Sequence, residues 1–420
     1  MNPLDIASIR QDLQQRQPAY LDLLRQMVEV NSFTANPAGV NRLGDLTAEA
    51  FGELGFQATR VQAADPSLGK HLVLARPGEG PVQIGLVSHL DTVFPPEEEA
   101  RNDFRWRPVG HRIYGPGTVD IKGGTAMIYA VLDQLLRHVP ALADRVTWKV
   151  LLNAAEERLV PDFGELCLAE LDPERTRACL VFEGGALEDR VHSLVVARKG
   201  MAIFRVEAFG KAAHAGSAHP WGANAVVQLA DAIRHIAALT DYGRDLTFNV
   251  GVVQGGTVVN RVPHRAWAQV EMRTFEPAIF QEGMAAMGAL DGMSTVRSAK
   301  GAFPAQVAVT VERETGPWSP NERTEGLYRV WEGAAQEVGM AVVREHRGGL
   351  SDGNLVWHSL PTLDGLGPAG GNAHCSEWSQ DGSKEPEFLD VRSFAPKALL
   401  NVVALIRLIQ GPGDVQAGTG

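Results

Sequence analysis

Apolar residues in the first 197 positions switch between helical spacing and short continuous runs. The runs HLVLAR, VQIGLV, RVTWKVLLNA and ACLVFEG are typical of buried strands. The segment TAMIYAVLDQLLRHV has the spacing of an amphipathic helix and meets Pro140 at its end. Strands without a polar face, separated by helices, predict an α/β domain with a mixed, largely parallel sheet covered by helices.

The pattern changes near residue 198, where MAIFRVEAFG alternates like a half-exposed strand. A helix (NAVVQLADAIRHIAAL), two strands (LTFNVGVV and RAWAQVEMRTF), a helix (IFQEGMAAMGAL) and a strand (QVAVTVER) follow. The order βαββαβ predicts a ferredoxin-like unit. Because α/β patterning then resumes, we predict a discontinuous domain, 1–197 and 316–420, and an inserted domain, 198–315.

Composition narrows the classes of partner. The 420 residues carry a net charge of -11, which disfavours nucleic acid and anionic membranes, since both need basic surface. We find no apolar run of 18 residues and no leader-like N-terminus, so we expect no membrane span and no signal peptide. The three cysteines form no C-x-x-C pair and favour reduced thiols in a cytoplasmic protein.

Polar residues with metal-binding side chains follow several of the predicted strands. They are His89 and Asp91 after VQIGLV, Asp120 in GPGTVDIKGG, Glu156 and Glu157 after VTWKVLLNAA, Glu183 after ACLVF, and His374 in GPAGGNAHCSEWS. In open α/β sheets, ligands bind beyond the carboxyl ends of the strands. We therefore expect these side chains to meet at one edge of the sheet.

A set of histidines and carboxylates without sulfur suits Zn²⁺, or Mn²⁺ or Co²⁺, in a hydrolytic site. Two metals about 3.5–4 Å apart need a shared carboxylate. We predict that one metal takes His89 and Glu183 and that Asp120 bridges to the second. Glu157 and His374 would be the remaining ligands of the second metal. Asp91 would hold the His89 ring, and Glu156 would act as general base.

Each of these signals alone has an ordinary interpretation. A His-x-Asp at a strand end is commonly a structural pair, and a Glu-Glu pair is usually solvated surface. The glycine-rich GPGTVDIKGG could be a phosphate loop, but it lacks the pattern G-x-x-x-x-G-K-[ST]. A binding protein on the same fold and a nucleotide enzyme are therefore the rival classes. The other nine histidines, including His71, His111 and His219, are interpreted as structural or surface residues.

The spelling of these motifs resembles that of the M20 metallopeptidase family. That group includes glutamate carboxypeptidases, acetylornithine deacetylases, succinyl-diaminopimelate desuccinylases and aminoacylases. The matching stretches are SHLDTV, GPGTVDIKGG, NAAEER, FGKAAHAGSAHPWGANAV, GGTVVNRVPHRAWAQVEMR, GGLSDGN and AHCSEW. They run from about residue 88 to 378 in the family's order.

The resemblance implies roles for individual residues. His89, Asp120, Glu157, Glu183 and His374 would bind two divalent ions, with zinc expected and cobalt or manganese as alternatives. Glu156 would be the general base and Asp91 its neighbouring aspartate. His214, on the inserted domain, would reach the active site of the other subunit of a homodimer and stabilise the oxyanion. Asn260, Arg273 and Gly349 would bind substrate, although Arg273 could equally be a surface arginine on a strand.

The expected function is cleavage of an amide bond beside a free carboxylate in a small peptide or N-acyl amino acid. The residues at the motif positions favour the glutamate carboxypeptidase branch, with an N-acyl-amino-acid deacylase as the alternative. Three departures leave the substrate open, and one is that the segment ERETGPWSP supplies no clear second carboxylate-binding arginine. Ala155 stands where the family often has an acidic residue, and RLVPDFG replaces a turn of small residues.

Overall fold

The computed structural model describes residues 5–158, 160–188 and 191–411. The chain forms two compact units. The larger comprises Met1–Val196, Pro320–Glu345 and Ser351–Gly420, and the smaller comprises Ala197–Ser319 and His346–Leu350. Residues 346–350 thus group with the smaller unit, although they lie outside the predicted insertion.

Helices and strands alternate through the larger unit as the apolar pattern predicts. The helices of the described chain are α1 (Ile6–Val28), α2 (Pro37–Gly52), α3 (Pro96–Arg101), α4 (Lys122–His138), α5 (Pro140–Ala143), α6 (Asp162–Glu170), α7 (Ala225–Ala238), α8 (Pro277–Gly288), α9 (Glu322–Val338), α10 (Gly353–Val356) and α11 (Val391–Gln410). The strands are β1 (Gln57–Gln62), β2 (Lys70–Arg76), β3 (Val82–His89), β4 (Arg107–Val109), β5 (Arg112–Tyr114), β6 (Val146–Asn153), β7 (Thr176–Val181), β8 (Leu187–Glu188), β9 (Val191–Arg198), β10 (Gly200–Phe209), β11 (Thr247–Gly255), β12 (Arg265–Thr274), β13 (Gln306–Thr315), β14 (Ala341–Arg347), β15 (Thr362–Leu363), β16 (Gly370–Gly371) and β17 (Phe388–Asp390).

The main sheet of the larger unit has six strands in the order β1-β2-β6-β3-β7-β15. Strands β6, β3, β7 and β15 pair in parallel, whereas β1, β2 and β6 pair antiparallel. The prediction of a mixed, largely parallel sheet is therefore confirmed. Because β6, β3 and β7 are parallel neighbours, their carboxyl ends deliver side chains to one edge of the sheet.

Successive residues of the sheet strands point to opposite faces and enter different cores. Leu86 and Val150 pack with α1, α2, α4, α9 and α11 in the main core. Val87 and Leu151 pack instead with Phe163 of α6 and Val356 of α10. Both faces of the sheet are therefore buried, which explains why the strand sequences are continuous apolar runs.

The smaller unit has the predicted order β10-α7-β11-β12-α8-β13, with a sheet ordered β11-β12-β10-β13. All three pairings in this sheet are antiparallel. Buried residues alternate with more exposed ones along β12, and α7 and α8 cover the buried face. The ferredoxin-like prediction is confirmed.

Among the described residues, α11 is the one helix whose length and composition would allow it to cross a membrane. Most of its apolar stretch, 83%, is buried within the fold. Leu400, Val403 and Ile406 of this helix pack in the main core. Its apolar character is therefore accounted for by core packing.

The short strands around the site were not predicted. Strands β16, β17, β5 and β4, each of two or three residues, form a further antiparallel sheet, and the two-residue β8 pairs with the eight-residue β9 in a sheet that also contains β14. Segments of two or three residues are too short for period-2 alternation to be recognised.

Candidate metal centre

The strand ends of the larger unit bring the candidate ligands together. His89 is the last residue of β3, Glu156 and Glu157 follow β6, and Glu183 follows β7. Asp120 lies just before α4. Gly124 allows the close approach of that helix, since a Cβ there would lie 2.0 Å from the Phe182 carbonyl oxygen.

Asp120 lies between the two predicted halves of the site. Its Oδ1 is 3.1 Å from His89 Nε2, and its Oδ2 is 3.2 Å from His374 Nε2. Two groups form around it whose donor atoms all lie within 4.8 Å of one another. These are His89, Asp120 and Glu183, and Asp120, Glu157 and His374. A carboxylate that offers one oxygen to each group has the geometry of a bridging ligand.

The arrangement fits divalent cations. All donors are carboxylate oxygens or imidazole nitrogens, which suit zinc and related hydrolytic metals. Glu157 Oε1 is buried without a hydrogen-bond partner, although buried carboxylate oxygens are normally satisfied. Hydrogen bonds with Asp120 and Glu157 raise the pKa of His374 to about 11, which shows how much negative charge surrounds it. A cation would balance that charge.

His89 presents its Nε2 to the site. Its Nδ1 lies 3.0 Å from the Asp91 backbone oxygen and 3.4 Å from the Asp91 carboxylate. A carbonyl oxygen can only accept, so Nδ1 carries a proton and Nε2 is the ring nitrogen that faces Asp120 and would bind an ion. The backbone of Asp91 thus orients the ring more closely than the predicted carboxylate does.

The Asp91 carboxylate holds the neighbouring turn instead. Its Oδ1 accepts the Glu156 backbone N–H at 3.0 Å, and its Oδ2 accepts that of Glu157 at 3.3 Å. Thr34 donates to the same Oδ2 at 2.7 Å. Asp91 therefore connects the strand that bears His89 to the turn that bears both glutamates.

Glu156 is buried beside other acidic groups. Burial, followed by the nearby charges of Asp352 and Glu183, raises its pKa well above the ordinary glutamate value. Burial also tends to raise the pKa of Asp120, but hydrogen bonds from His374 and His89 overcome it and hold that pKa well below the usual range. Two neighbouring carboxylates with opposite shifts suit one proton carrier and one permanent anion.

His374 and Glu387 complete this edge. His374 has φ +67, a left-handed conformation that non-glycine residues seldom adopt and that recurs at functional sites. Glu387 is fully buried and accepts the N–H groups of Val119 and Asp120 at 2.9 and 3.1 Å. Sequence reasoning missed Glu387, since it lies 267 residues from Asp120 and no local pattern links the two.

The remaining predicted residues lie in the smaller unit. His214 is exposed, and its Nδ1 accepts the N–H groups of Gly216 and Ser217, both at 3.1 Å. Nε2 must therefore carry the proton, which makes His214 a hydrogen-bond donor. The Asn260 carbonyl accepts the Ala215 N–H at 2.9 Å, so Asn260 and His214 lie on adjacent loops.

Arg273 and Gly349 belong to the same unit. The Arg273 guanidinium contacts Glu271 at 2.8 Å and the Gly348 carbonyl at 2.9 Å. The Gly349 carbonyl accepts a bond from Arg198 at 3.1 Å. The structure thus brings the GGL turn close to Arg273.

This set of donors, gathered at the carboxyl edge of an α/β sheet, is typical of a metal-dependent hydrolase. The sequence profile of peptidase family M20/M25/M40 matches residues 85–380. The chain belongs to this family.

Individual relatives agree with that assignment. Carboxypeptidase G2 from Pseudomonas sp. (strain RS-16) is 30% identical over 393 residues, which is 93% of this chain and 89% of that protein. Acetylornithine deacetylase from Pectobacterium carotovorum is 29% identical over 261 residues, 58% of this chain and 65% of that protein. The predicted carboxypeptidase or deacylase class is confirmed.

Solved structures share the fold. The aminopeptidase PepT from Bacillus cereus superimposes with a TM-score of 0.72 at 23% identity, covering 94% of this chain and 99% of that one. The M20 metallo-carboxypeptidase Sso-CP2 from Sulfolobus solfataricus gives a TM-score of 0.70 at 14% identity, covering 93% and 99%.

Proposed function

We propose that the protein is a two-metal, di-zinc hydrolase that removes a residue with a free carboxylate from a small peptide or N-acyl amino acid. The observation that carries this proposal is the position of Asp120, whose two oxygens face His89 and His374 at 3.1 and 3.2 Å. Glu183 would complete the His89 side and Glu157 the His374 side. Divalent ions bound there would polarise the amide carbonyl and make a bound water acidic.

Glu156 is the proposed general base. Its carboxylate would take a proton from the attacking water and pass it to the leaving amine as the C–N bond breaks. The raised pKa of Glu156 supports this role, because burial and neighbouring carboxylates make it hold a proton more readily than an exposed glutamate would.

His214 is the proposed oxyanion donor. Both of its ring nitrogens have defined roles, since Nδ1 accepts two backbone N–H groups and leaves a protonated Nε2 exposed. In the proposed assembly this Nε2–H would serve the active site of the partner subunit.

The substrate proposal rests on the relatives and on the smaller unit. A relative that aligns with 93% of the chain is a carboxypeptidase, so we favour cleavage next to a C-terminal carboxylate, with glutamate-terminal amides as the first class to test. Asn260, Arg273 and Gly349 would recognise that carboxylate. Since Glu271 already pairs with Arg273, part of its charge is neutralised before substrate arrives. The deacetylase relative keeps N-acyl amino acids as the alternative.

A homodimer through the smaller unit is part of the proposal, and β11 is its proposed interface. Both β11 and β13 are edge strands of the sheet. The sequence of β13 carries three charged residues, Glu312, Arg313 and Glu314, whereas that of β11, TFNVGVVQG, carries none. Charges protect an edge from pairing, and an uncharged edge invites it. A two-fold axis would pair β11 with its copy.

Exposed apolar residues support the choice of β11. Val253 is 54% and Val252 39% exposed on this strand, and Val227 of the neighbouring α7 is 47% exposed. Such a patch on the surface of one chain is typical of an interaction site.

Elemental analysis and a substrate panel test the proposed function. We expect two zinc ions per chain and hydrolysis of glutamate-terminal amides faster than that of N-acetylated basic amino acids. Metal-free protein after purification without chelators would contradict the metal proposal. Faster turnover of acetylornithine would move the assignment to the deacylase alternative.

A cytoplasmic location also stays a proposal. Cys167 and Cys179 are buried free thiols, in keeping with a reducing compartment. Fractionation of the native cells would test it, and recovery outside the cytoplasm would refute it.

A further inference from the structure

The turn that carries Glu156 and Glu157 has an unusual hydrogen-bond pattern. Four consecutive backbone N–H groups each donate to a buried side chain. The bonds are Ala154 to His71 Nδ1 at 3.1 Å, Ala155 to Asn153 Oδ1 at 3.0 Å, Glu156 to Asp91 Oδ1 at 3.0 Å and Glu157 to Asp91 Oδ2 at 3.3 Å. The first N–H groups of a helical turn have no partner within that turn. Here side chains supply all four acceptors.

The first acceptor, His71, is itself fixed in place. It is 1% exposed. A backbone N–H can only donate, so Nδ1 must be unprotonated and Nε2 must carry the proton. That proton points to Asp162 Oδ2, 3.2 Å away, and the same oxygen accepts the Ala64 N–H at 2.6 Å. His71 thus links Asp162 to the first N–H of the turn.

The second acceptor, Asn153, is held from another part of the chain. Its Oδ1 accepts the Ala155 N–H, so its Nδ2 faces Asp352 Oδ1, at 2.8 Å. Asn153 is fully buried and Asp352 is 4% exposed. Asp352 belongs to the motif GGLSDGN, whose SDG residues have no assigned role in the chemistry. Its neighbour Ser351 donates to the buried Asp364 at 2.8 Å, which anchors the motif.

We propose that His71 and Asp352 are positioning residues for Glu156. They act on the turn through their hydrogen bonds to Ala154 and Asn153. Loss of one buried acceptor would leave an N–H unsatisfied, and the turn would shift to find another partner. A displacement of about 1 Å at a reacting group can lower the rate about 10²-fold. The kinetic part of this inference rests on the proposed role of Glu156.

A reciprocal exchange of Asn153 and Asp352 tests one of the two connections. Asn153→Asp places two buried carboxylates against each other, and we expect kcat for N-benzoyl-glutamate to fall about 10²-fold with KM nearly unchanged. The double variant Asn153→Asp/Asp352→Asn reverses donor and acceptor, while position 153 still accepts the Ala155 N–H. We expect it to recover kcat to within about threefold of wild type.

The exchange has clear contrary outcomes. A double variant no faster than Asn153→Asp would overturn the positioning role of Asp352. So would a rise of KM with kcat unchanged, which indicates disturbed substrate binding, or a fall of apparent kcat that matches a loss of folded enzyme measured by circular dichroism. Asp352→Asn alone keeps an acceptor for Asn153 and serves as the conservative control.

Amide hydrogen exchange tests His71 without any substrate. In the metal-free full-length chain we expect His71→Leu to speed exchange at Ala154 at least tenfold, and His71→Asn, which keeps an acceptor near the Nδ1 position, to restore most of the protection. Unchanged exchange at Ala154 in His71→Leu would overturn the proposal, whatever the enzyme hydrolyses. Faster exchange in a protein whose wild-type form cleaves no tested amide would refute the proposed function and leave the hydrogen-bond role standing.

Discussion

The two units contribute different kinds of residue to the proposed chemistry. In the larger unit, His89, Asp120 and Glu157 lie in or near buried turns and contact other candidate ligands at 3.1–3.2 Å. In the smaller unit, His214 is exposed and its described hydrogen bonds stay within its own loop. The larger unit thus holds a set of candidate ligands in contact with one another, whereas the smaller unit offers an exposed donor.

This contrast implies that metal binding and catalysis can be separated. A metal centre depends on ligands fixed by their surroundings, and here the larger unit supplies all five. An oxyanion donor must reach the reacting carbonyl, and in the proposed homodimer the exposed His214 would do so for the active site of the partner subunit. Changes in the larger unit should therefore alter metal content or chemistry, and changes in the smaller unit should alter chemistry alone.

Glu156→Ala should have the largest effect on turnover. A positioned general base contributes about 10²–10⁴-fold, so we expect kcat to fall at least 10³-fold. Metal content should stay at the wild-type value, since neither of the two groups that share Asp120 includes Glu156, although Glu156 and Glu157 also form a third group with His89. Single-turnover kinetics measures the loss of turnover, and elemental analysis measures the metal content. Activity close to wild type would exclude Glu156 as the base.

His214→Ala should have the next largest effect. Loss of one oxyanion donor costs about 10²–10³-fold in kcat. Mixing this variant with Glu156→Ala under conditions of subunit exchange should restore about a quarter of wild-type activity, because half of the dimers then hold one intact site. Mixtures that stay inactive despite proven exchange would show that His214 does not serve the partner's site.

Val253→Glu should separate the subunits. A charge on the uncharged edge strand β11 opposes pairing, so we expect a monomer in sedimentation velocity and a kcat reduced by up to the His214→Ala factor. Val311→Glu is the matched control, because Val311 is a similarly exposed valine (46%) on the opposite edge strand. A fully active Val253→Glu monomer would contradict the dimer proposal, as would dissociation in the control alone.

Sequence alone could predict most of the fold and the grouping of the candidate ligands at one edge of the sheet. The long apolar runs show which strands are buried on both faces, and parallel strands place their carboxyl ends at one edge. His89, Glu156 and Glu183 follow three neighbouring strands of the sheet, so their convergence followed from topology without coordinates.

The supporting hydrogen bonds could not be predicted. His71 lies 83 residues from Ala154, and Asp352 lies 199 residues from Asn153. Such pairs depend on how elements pack, and no periodicity in a single sequence encodes them. His71 was interpreted as structural or surface, and the structure shows it buried against the turn. The sequence offered one signal for a buried role of His71, namely that it is a polar residue at the start of the apolar strand KHLVLAR.

The smallest effect that we predict is a difference between the two units in how the free energy of unfolding depends on pH. The larger unit contains the three buried histidines of the described chain, His71, His89 and His192. The five described histidines of the smaller unit are exposed. Burial, together with the charge of Lys397, lowers the pKa of His192 to about 3. Between this pKa and the ordinary histidine pKa of about 6.5, His192 binds a proton in the unfolded chain but not in the folded chain. Stability is therefore lost as pH falls from about 6.5 towards 3, by up to about 1.4 kcal/mol per pH unit.

His192→Leu should flatten this dependence for the larger unit, as measured by denaturant unfolding of metal-free protein between pH 7 and 5. Metal-free protein is needed because loss of bound ions in acid would add its own slope. His235→Leu is the control, because it removes an exposed histidine of the smaller unit and should leave the slope of the larger unit unchanged. An unaltered slope in His192→Leu would mean that another group, with His71 the next candidate, governs the acid sensitivity of the larger unit.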